Sequence, residues 1–253
     1  MLAIERKNEI LAKLRLEQRV LVSELSAHYG VTEETIRRDL EKLEQEGYAI
    51  KTYGGAILGN STKMDLSYKI RNNTNIEAKR AIGELICGVI EDGDHIMLDD
   101  SSTSLYIAKK IKVKKNITVI TNSVEILTEL ADADTWNIMS TGGRLKPESL
   151  ALVGHTAEQM IRNYHVDKAI ISCKGLDTEH GITDSSEFHA LTKKAMIASA
   201  RHTILAADSS KFNKTSFIQI ADLGGIDTVV TEKRPDSRWM ETFEAQNIRC
   251  LYA

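Results

Sequence analysis

The chain of 253 residues contains few cysteines and no long hydrophobic run. Cys87, Cys173 and Cys250 are odd in number and widely spaced, which argues against a disulfide framework or a cysteine-based zinc site and favours a reducing compartment. No segment approaches the ~20 consecutive apolar residues that a membrane-spanning helix needs. The N-terminal residues also lack the form of a signal peptide. We therefore expect a cytoplasmic protein that does not bind membranes.

The sequence also lacks the excess of positive charge that is typical of nucleic-acid-binding proteins. Its formal net charge is −3, and residues 1–58 carry nine basic against ten acidic side chains. The composition is 42% hydrophobic and 27% charged, which is ordinary for a globular protein with a substantial core. If this chain binds DNA, its basic residues must be concentrated on one face, and several copies must add their phosphate contacts.

Histidine spacing gives no indication of a metal site. The histidines considered as ligands are scattered, and none shares a helical or loop spacing with cysteine or carboxylate ligands: His155, His165, His180, His189 and His202. We interpret them as surface residues or as residues with ordinary hydrogen-bond partners. The sequence therefore predicts no metal and no cofactor.

The stretch from Val31 to Leu40 has the pattern of a helix with two different faces. Apolar side chains recur at i, i+4 and i+7 on one face, at Ile36, Leu40 and Leu43. The opposite face is polar and carries Glu34, Arg38 and Lys42, with Thr35 at its edge. Thr32 is the predicted N-cap, because its hydroxyl can accept an orphan backbone N–H of the first turn.

The neighbouring segments complete the pattern of a winged helix-turn-helix. A first helix is predicted at residues 3–15, with Ile4, Ile10, Leu11 and Leu14 inward, and a second at 21–28, with Leu21 and Leu25 inward. A tight turn then leads into the amphipathic helix, which would enter the DNA major groove with its N-terminal residues first. Residues 49–57 predict a hairpin around Gly54-Gly55, and the extended run at 19–22 is expected to pair with it.

A second interpretation of the amphipathic helix has to be weighed. Glu33 and Arg37, and likewise Glu34 and Arg38, stand four residues apart with the acid first, the favourable order for ion pairs on a solvated helix. On that interpretation the arginines are surface ion pairs and nothing more. The hairpin that follows favours DNA binding.

Residues 32–40, Thr-Glu-Glu-Thr-Ile-Arg-Arg-Asp-Leu, carry a more specific signal together with Arg6 and with Tyr53-Gly54-Gly55-Ala56. This set resembles the DNA-binding signature of the DeoR family of bacterial transcriptional regulators. The resemblance implies a winged DNA-binding domain joined to a larger sensor domain that binds a sugar-type effector. The predicted contacts to double-stranded operator DNA are Thr32, Glu34, Thr35, Arg37, Arg38, Lys42, Lys51 and Tyr53.

From residue 74 onwards, short apolar runs alternate with helical segments. Strands are predicted at 95–98, 117–120, 136–139, 168–171, 203–206, 228–230 and 248–251. Such alternation favours an α/β fold with a mainly parallel sheet whose two faces are covered by helices. We predict three parts: a winged helix-turn-helix domain at 1–58, a linker and irregular segment at 59–73, and an α/β effector-binding domain at 74–253.

Polar residues follow most of the predicted strands, at the edge of the sheet where α/β proteins bind ligands. The loops are rich in hydroxyl groups, and two carry a lysine, which suits a hydroxylated or phosphorylated small molecule. For any single loop, helix N-caps are the better explanation. Taken together, the loops predict an effector site at Asp99, Ser101, Ser102, Thr103, Thr121, Asn122, Ser123, Gly142, Gly143, Lys174, Asp208 and Lys211.

The same loops resemble the DeoR-family sensor domain, whose fold is similar to ribose-5-phosphate isomerase. The family's first loop generally reads Asp, small residue, Gly, Thr, Thr, whereas this chain has Asp99, Asp100, Ser101, Ser102 and Thr103. Ser101 replaces the glycine that lets the backbone approach a phosphate, and Asp100 adds a negative charge there. The resemblance implies a sugar phosphate, while an unphosphorylated polyol or a sugar acid remains open.

These observations predict a transcriptional regulator, a repressor of genes for carbohydrate uptake or catabolism, rather than an enzyme with catalytic residues. The alternative is a sugar-phosphate isomerase-like enzyme on the same fold, with Asp184 and Glu187 near Lys174 as acid and base. That alternative leaves the winged helix-turn-helix unexplained. One winged domain of net charge −1 would gain little from the DNA backbone, so we expect a homo-oligomer, either a dimer or a tetramer.

Overall fold

The structure, a computed structural model, describes residues 2–17, 19–45, 48–58 and 68–253. Contacts divide the chain into two compact units, residues 1–70 and 71–253. The predicted bounds of the domains, 1–58 and 74–253, remain a prediction. Of the predicted linker at 59–73, residues 59–67 lie outside the described residues.

The N-terminal unit combines helices with a small antiparallel sheet. The sheet has the strand order β1-β3-β2, so the first strand pairs with the hairpin as predicted. This arrangement is a winged helix-turn-helix. Its elements are α1 (Ala3–Glu17), β1 (Arg19–Leu21), α2 (Val22–Tyr29), α3 (Glu33–Gln45), β2 (Ala49–Thr52) and β3 (Gly55–Leu58).

The apolar stripe of α3 forms the centre of this unit's core. Ile36, Leu40 and Leu43 are buried, as predicted, and contact buried side chains of α1, α2 and the sheet. The backbone N–H of Thr35 donates to Thr32 Oγ1 at 3.3 Å, so Thr32 caps the helix as predicted. Gly30 adopts a left-handed conformation (φ +62°) that ends α2 and turns the chain into α3.

Two predicted core positions are wrong. Leu21 is 44% exposed, because it is the last residue of β1, where side chains alternate between the two faces. Its neighbours Val20 and Val22 are buried instead. Ile4 is 65% exposed, because the first turn of α1 contacts the rest of the unit through Arg6, which is buried.

The C-terminal unit combines strands and helices along the chain. It contains α4 (Tyr68–Asn72, which begins in the first unit), α5 (Ile76–Cys87), β4 (His95–Leu98), α6 (Ser102–Ile111), β5 (Thr118–Thr121), α7 (Val124–Leu130), β6 (Asn137–Ser140), β7 (Arg144–Lys146), β8 (Ala151–Val153), α8 (His155–Arg162), β9 (Val166–Ile171), β10 (Gly175–Asp177), β11 (Gly181–Asp184), α9 (Glu187–Ala198), β12 (Ala200–Ala206), β13 (Ile218–Ala221), β14 (Thr228–Thr231), α10 (Ser237–Ala245) and β15 (Arg249–Tyr252).

Seven of these strands form one parallel sheet in the order β15-β14-β12-β9-β4-β5-β6. Each of the seven predicted strands overlaps one strand of this sheet, so the predicted mainly parallel α/β fold is confirmed. The core contains Met97, Ala169 and Leu205 from the sheet together with Trp239 and Phe243 from α10. The small antiparallel sheets β10-β11-β13 and β7-β8 were not predicted.

The strand order reverses between β4 and β9. From β4 the chain builds β5 and β6 on one side, and it then returns to place β9, β12, β14 and β15 on the other. In open α/β sheets the crevice at such a reversal, outside the carboxyl ends of the strands, is where ligands bind. The loops that begin at Asp99, after β4, and at Ser172, after β9, meet at this point.

Candidate DNA interface and effector site

The polar face of α3 is open to solvent. The side chains of Arg37 and Arg38 are 53% and 73% exposed, and Glu34 and Lys42 are exposed beside them. Near the helix start, the hydroxyl oxygens of Thr32 and Thr35 lie 2.9 Å apart. This face therefore presents donors from the first two turns, the part of a recognition helix that contacts base edges.

Both arginines of α3 form the ion pairs that their spacing predicts. Arg37 Nη2 lies 2.6 Å from Glu33 Oε2, and Arg38 Nε lies 3.4 Å from Glu34 Oε1. Exposed i,i+4 pairs of this kind stabilise a protein by about 0.3–0.5 kcal/mol each. The arginines can therefore exchange these partners for phosphate or guanine at small cost.

The wing carries two of the predicted DNA contacts. Tyr53 stands in the turn between β2 and β3 with its side chain fully exposed. The backbone N–H of Lys51 donates to Glu44 at 2.8 Å, and its side-chain nitrogen lies 3.9 Å from Glu41. Both side chains thus lie on the surface of the hairpin, and Lys51 also contacts α3.

A buried ion pair holds α3 against α1. Arg6 Nε donates to Asp39 Oδ2 at 2.6 Å, and both residues are less than 10% exposed. The sequence interpretation did not assign this role to Asp39. A signal was present, because Asp39 stands three residues after Ile36 and four before Leu43, on the apolar face of the helix.

In the C-terminal unit, Asp99 connects the loops that follow β4 and β9. It is fully buried, and one carboxylate oxygen accepts from the Ser101 N–H at 3.1 Å and from Ser104 Oγ at 2.5 Å. The other accepts from the Ser172 N–H at 2.8 Å and lies 3.5 Å from Lys193 Nζ. With both oxygens occupied, Asp99 supports the loops around the predicted site.

Lys193 on α9 is the buried cation of this region. Its Nζ lies 2.6 Å from Asp184 Oδ2 and within 3.5 Å of Asp99. Burial by itself lowers the pKa of Lys193, but the neighbouring carboxylates outweigh burial and raise this pKa above its usual value. Burial likewise raises the pKa of Asp184, and the charges of Lys193 and Lys174 bring it below its usual value. Both groups are therefore charged at neutral pH.

Asp100 forms a second buried contact, with His189 of α9. His189 Nδ1 lies 3.1 Å from Asp100 Oδ2, and Asn122 Nδ2 donates to Asp100 Oδ1 at 3.1 Å. Burial raises the pKa of Asp100, but the charge and hydrogen bond of His189, together with Lys193 and Arg71, bring it below its usual value. The charge that this aspartate adds to the first loop is thus neutralised within the protein.

Lys79 interacts electrostatically with Asp208 and with three further cationic side chains, and we call these four cations the basic cluster: Arg71, Lys79, Lys174 and Lys211. The pKa of Lys79 is lowered to about 8. Burial is the main cause, the charges of Lys211, Arg71 and Lys174 act in the same direction, and the charge of Asp208 opposes them. The amino group of Lys79 donates to the backbone carbonyls of Arg71 and Thr74. An anion near this cluster would meet several positive charges.

Several of the predicted effector residues act as helix caps. Ser101 accepts from the Ser104 N–H at 3.0 Å, Ser123 from the Ile126 N–H at 3.3 Å, and Asp208 from the Ser210 N–H at 3.0 Å. Ser101 has φ −72°, an ordinary value for a residue with a side chain. Also buried near these caps are Ser102, Thr103 and Thr121. The capping interpretation therefore applies to these loops.

The structure separates the predicted effector residues into groups. Asp99, Asp100 and Asn122 meet at the ends of β4 and β5, and Lys174, Asp208 and Lys211 belong to or adjoin the basic cluster. Gly142 and Gly143 follow β6, two strands away from β4. Their φ angles of +62° and +105° shape the turn into β7.

Four residues that interact with the predicted effector residues were not assigned to the site by the sequence interpretation: His189, Lys193, Lys79 and Arg71. His189 and Lys193 are one helical turn apart on α9, on the face that also buries Ala190 and Met196. That i,i+4 spacing of a histidine and a lysine among small apolar residues was the available signal. Lys79 and Arg71 interact with the other cations only through the tertiary structure, and the sequence around them gives no indication of this.

The two residues proposed as acid and base under the enzyme interpretation differ in their exposure to solvent. Asp184 is buried and bonded to Lys193, whereas Glu187 is exposed at the start of α9. Within the described ranges, no three His, Cys, Asp or Glu side chains are grouped so that they could bind a metal ion. In the same ranges, no helix is long and apolar enough to cross a membrane.

A winged helix-turn-helix followed by an α/β unit with a polar ligand-type site defines a DNA-binding regulator with a sensor domain. Residues 6–62 match the DeoR-like helix-turn-helix domain, and residues 74–233 match the DeoR C terminal sensor domain. The chain therefore belongs to the DeoR family of transcriptional regulators, and the predicted family is confirmed. Membership favours the regulator over the enzyme alternative.

Curated relatives align along nearly the whole chain. It is 39% identical to an uncharacterized HTH-type transcriptional regulator, YulB, of Bacillus subtilis (strain 168), covering 98% of this chain and 96% of that protein. It is 36% identical to the HTH-type transcriptional repressor GlcR of the same organism, covering 98% and 95%. It is 25% identical to the glycerol-3-phosphate regulon repressor of Escherichia coli (strain K12), covering 97% of both.

Among solved structures, the chain partly resembles the ribose 5-phosphate isomerase A of Methanocaldococcus jannaschii. The match covers 55% of each chain with a TM-score of 0.40 and 15% sequence identity. The α/β assignment itself rests on the seven-stranded parallel sheet described above.

Proposed function

We propose that this regulator is a repressor and that a phosphorylated sugar or polyol bound in its C-terminal unit releases it from its operator. The observation that carries the proposal is the basic cluster, whose Arg71 also interacts with the charge of Asp100, the hydrogen-bond partner of Asn122. A phosphate suits the basic cluster, and hydroxyl groups suit Asp100 and Asn122. Two relatives support the repressor assignment, because their names describe repressors, and one names a glycerol-3-phosphate regulon.

We further propose that the DNA-bound form is a symmetric oligomer in the cytoplasm. Arg37, Arg38 and Lys51 offer few phosphate contacts per copy, and the sequence of residues 1–58 is slightly acidic. Two copies related by a two-fold axis double these contacts and require an inverted-repeat operator. The DNA partner supports the cytoplasm as the compartment.

The test of the effector proposal begins with an operator selected from random DNA by the purified protein. Release of this operator is then titrated by fluorescence anisotropy with pentose phosphates, hexose phosphates, glycerol 3-phosphate and the free sugars. We expect one phosphorylated compound to release the DNA. In Lys211→Ala the required concentration should rise about 10–100-fold, because a charged hydrogen bond to phosphate contributes about 1.5–3 kcal/mol.

Lys214→Ala is the matched control, because Lys214 is exposed three residues further along the chain. This variant should respond as the parent does, and both variants should bind the operator with parental affinity without effector. Release by an unphosphorylated sugar alone, with phosphorylated compounds inactive, contradicts the phosphate assignment. An unchanged response in Lys211→Ala contradicts the role of the basic cluster.

A further inference from the structure

Asn122 has a hydrogen-bonding group that its surroundings do not explain. The residue is fully buried in the loop after β5. Its amide nitrogen donates to Asp100 Oδ1 at 3.1 Å and to the Leu152 carbonyl at 3.3 Å. Its amide oxygen, although buried, has no hydrogen-bond partner within the part of the chain that the structure describes.

The orientation of this amide is fixed by its neighbours. Both N–H groups of Asn122 face acceptors, a carboxylate and a backbone carbonyl. Rotating the amide by 180° would place its oxygen against these two acceptors and lose both hydrogen bonds. The unpaired atom is therefore the oxygen. A buried acceptor without a donor costs about 1–3 kcal/mol, so it calls for a partner.

Asp100 is itself held in place from the opposite side. His189 Nδ1 lies 3.1–3.2 Å from both carboxylate oxygens of Asp100, and Lys146 Nζ lies 3.5 Å from His189 Nε2. A carboxylate can only accept, so the contact with Asp100 requires a proton on His189 Nδ1. This chain of contacts aligns the carboxylate that orients the Asn122 amide.

The charges around Asp100 indicate which kind of donor suits the Asn122 oxygen. His189, Lys193 and Arg71 already interact favourably with Asp100. A further cation beside them would be repelled, whereas a neutral hydroxyl group would not. Two hydroxyl groups of this region already have partners, since Ser101 donates to Ser104 and Ser104 donates to Asp99.

We propose that Asn122 Oδ1 accepts a hydrogen bond from a hydroxyl group of the effector, and that Asp100 and His189 are positioning residues for this amide. The inference rests on the proposed function and adds a second point of recognition to the phosphate. One end of the effector meets the basic cluster, and a hydroxyl on its carbon chain meets Asn122. The protein thereby distinguishes sugar phosphates from inorganic phosphate and from deoxy analogues.

The first experiment uses the parent protein and monodeoxy analogues of the sugar phosphate that releases the operator most effectively. Dissociation constants are measured by calorimetry for the parent compound and for each analogue with one hydroxyl replaced by hydrogen. We expect one analogue to bind about 10–100-fold more weakly, because a site built for a hydroxyl discriminates strongly against its loss. A series in which every analogue binds within threefold of the parent compound overturns the inference.

The second experiment assigns the discrimination to Asn122. In Asn122→Ala the unmodified sugar phosphate should bind about 10–100-fold more weakly than it binds the parent protein. Its affinity should then be no higher than that of the analogue that binds weakly in the first experiment. Inorganic phosphate should bind this variant as it binds the parent protein. His189→Leu should reduce the same discrimination, and His189→Gln, whose amide can still donate to Asp100, should restore it. Discrimination that survives in a folded Asn122→Ala protein overturns the assignment. If that variant does not fold, the comparison of His189→Leu with His189→Gln decides.

The two proposals fail in different ways. If no sugar, polyol or phosphorylated derivative raises the melting temperature of the protein or releases its operator, the proposed function is wrong and this inference falls with it. If a sugar phosphate binds tightly but the analogue series is flat, only the inference is wrong.

Discussion

The recognition helix α3 and the sensor helix α9 use charged residues in opposite ways. Arg37 and Arg38 on α3 are more than half exposed and pair with glutamates of their own helix. Lys193 on α9 is 5% exposed and pairs with aspartates from other segments. Exposed pairs exchange partners at little cost, whereas removing one member of a buried set leaves an uncompensated charge. The first arrangement suits reversible DNA binding, and the second suits a fixed frame around a ligand.

Burial, and not membership of one unit or the other, explains this difference. The DNA-binding unit also contains one buried pair, Arg6 with Asp39 at 2.6 Å, directly beside the exposed arginines of α3. Consecutive residues of one helix therefore have different tasks: Arg37 and Arg38 face solvent, and Asp39 anchors the helix to α1. Three substitutions test this comparison.

The largest effect is expected for Lys193→Met. Methionine keeps much of the side-chain volume but leaves Asp99 and Asp184 buried without their cation, which should destabilise the C-terminal unit by about 3–5 kcal/mol. The free energy of unfolding is measured by urea denaturation. Lys194→Met, at the exposed neighbouring position, is the control and should change it by less than about 0.5 kcal/mol. Equal midpoints for the two variants would contradict the assigned role of Lys193.

A smaller but still large effect is expected for Asp39→Ala, at about 3 kcal/mol, because Arg6 remains buried without its partner. The melting transition of the N-terminal unit is the measurement. Arg6→Met combined with Asp39→Ala should recover part of the loss, since the double variant buries no unpaired charge. A single variant as stable as the parent would mean that this pair does not anchor α3.

The smallest effect on stability, with a specific effect on DNA, is expected for Arg38→Ala. Its exposed ion pair contributes about 0.3–0.5 kcal/mol to folding. Loss of an arginine–guanine contact should weaken operator binding by about 1–3 kcal/mol and relax preference at one base pair. Anisotropy titrations with base-substituted operators measure both. Lys13→Ala, on the surface of α1, is the control. Parental affinity with unchanged base preference would remove Arg38 from the interface.

The features that were predicted from the sequence are those that repeat along the chain. The i, i+4, i+7 stripe of Ile36, Leu40 and Leu43 predicted the buried face of α3. Seven short apolar runs predicted seven strands of the parallel sheet, with boundaries that shift by up to three residues. Leu21 was assigned wrongly because one apolar run contains both the end of a strand and the start of a helix.

Features that depend on contacts between distant segments were missed. The strands β10 and β11 are short and rich in polar residues, so no period-two pattern marks them. His189 meets Asp100 across 89 residues of sequence, and Lys193 meets Asp99 across nearly a hundred, so no spacing rule connects them. Polar loops at strand ends indicated where a site would lie. They did not distinguish residues that cap helices from residues that face a ligand.

The reversal of strand order also determines when each part of the protein can form during synthesis. The pairing of β4 with β9 joins positions such as His95 and Asp167, which are 72 residues apart, so the middle of the sheet must wait for the chain up to Ile171. The core of the winged unit consists of its own residues, so this unit can form while the rest is still being translated. Until β9 arrives, β4 has an open edge, which makes incomplete chains prone to aggregation.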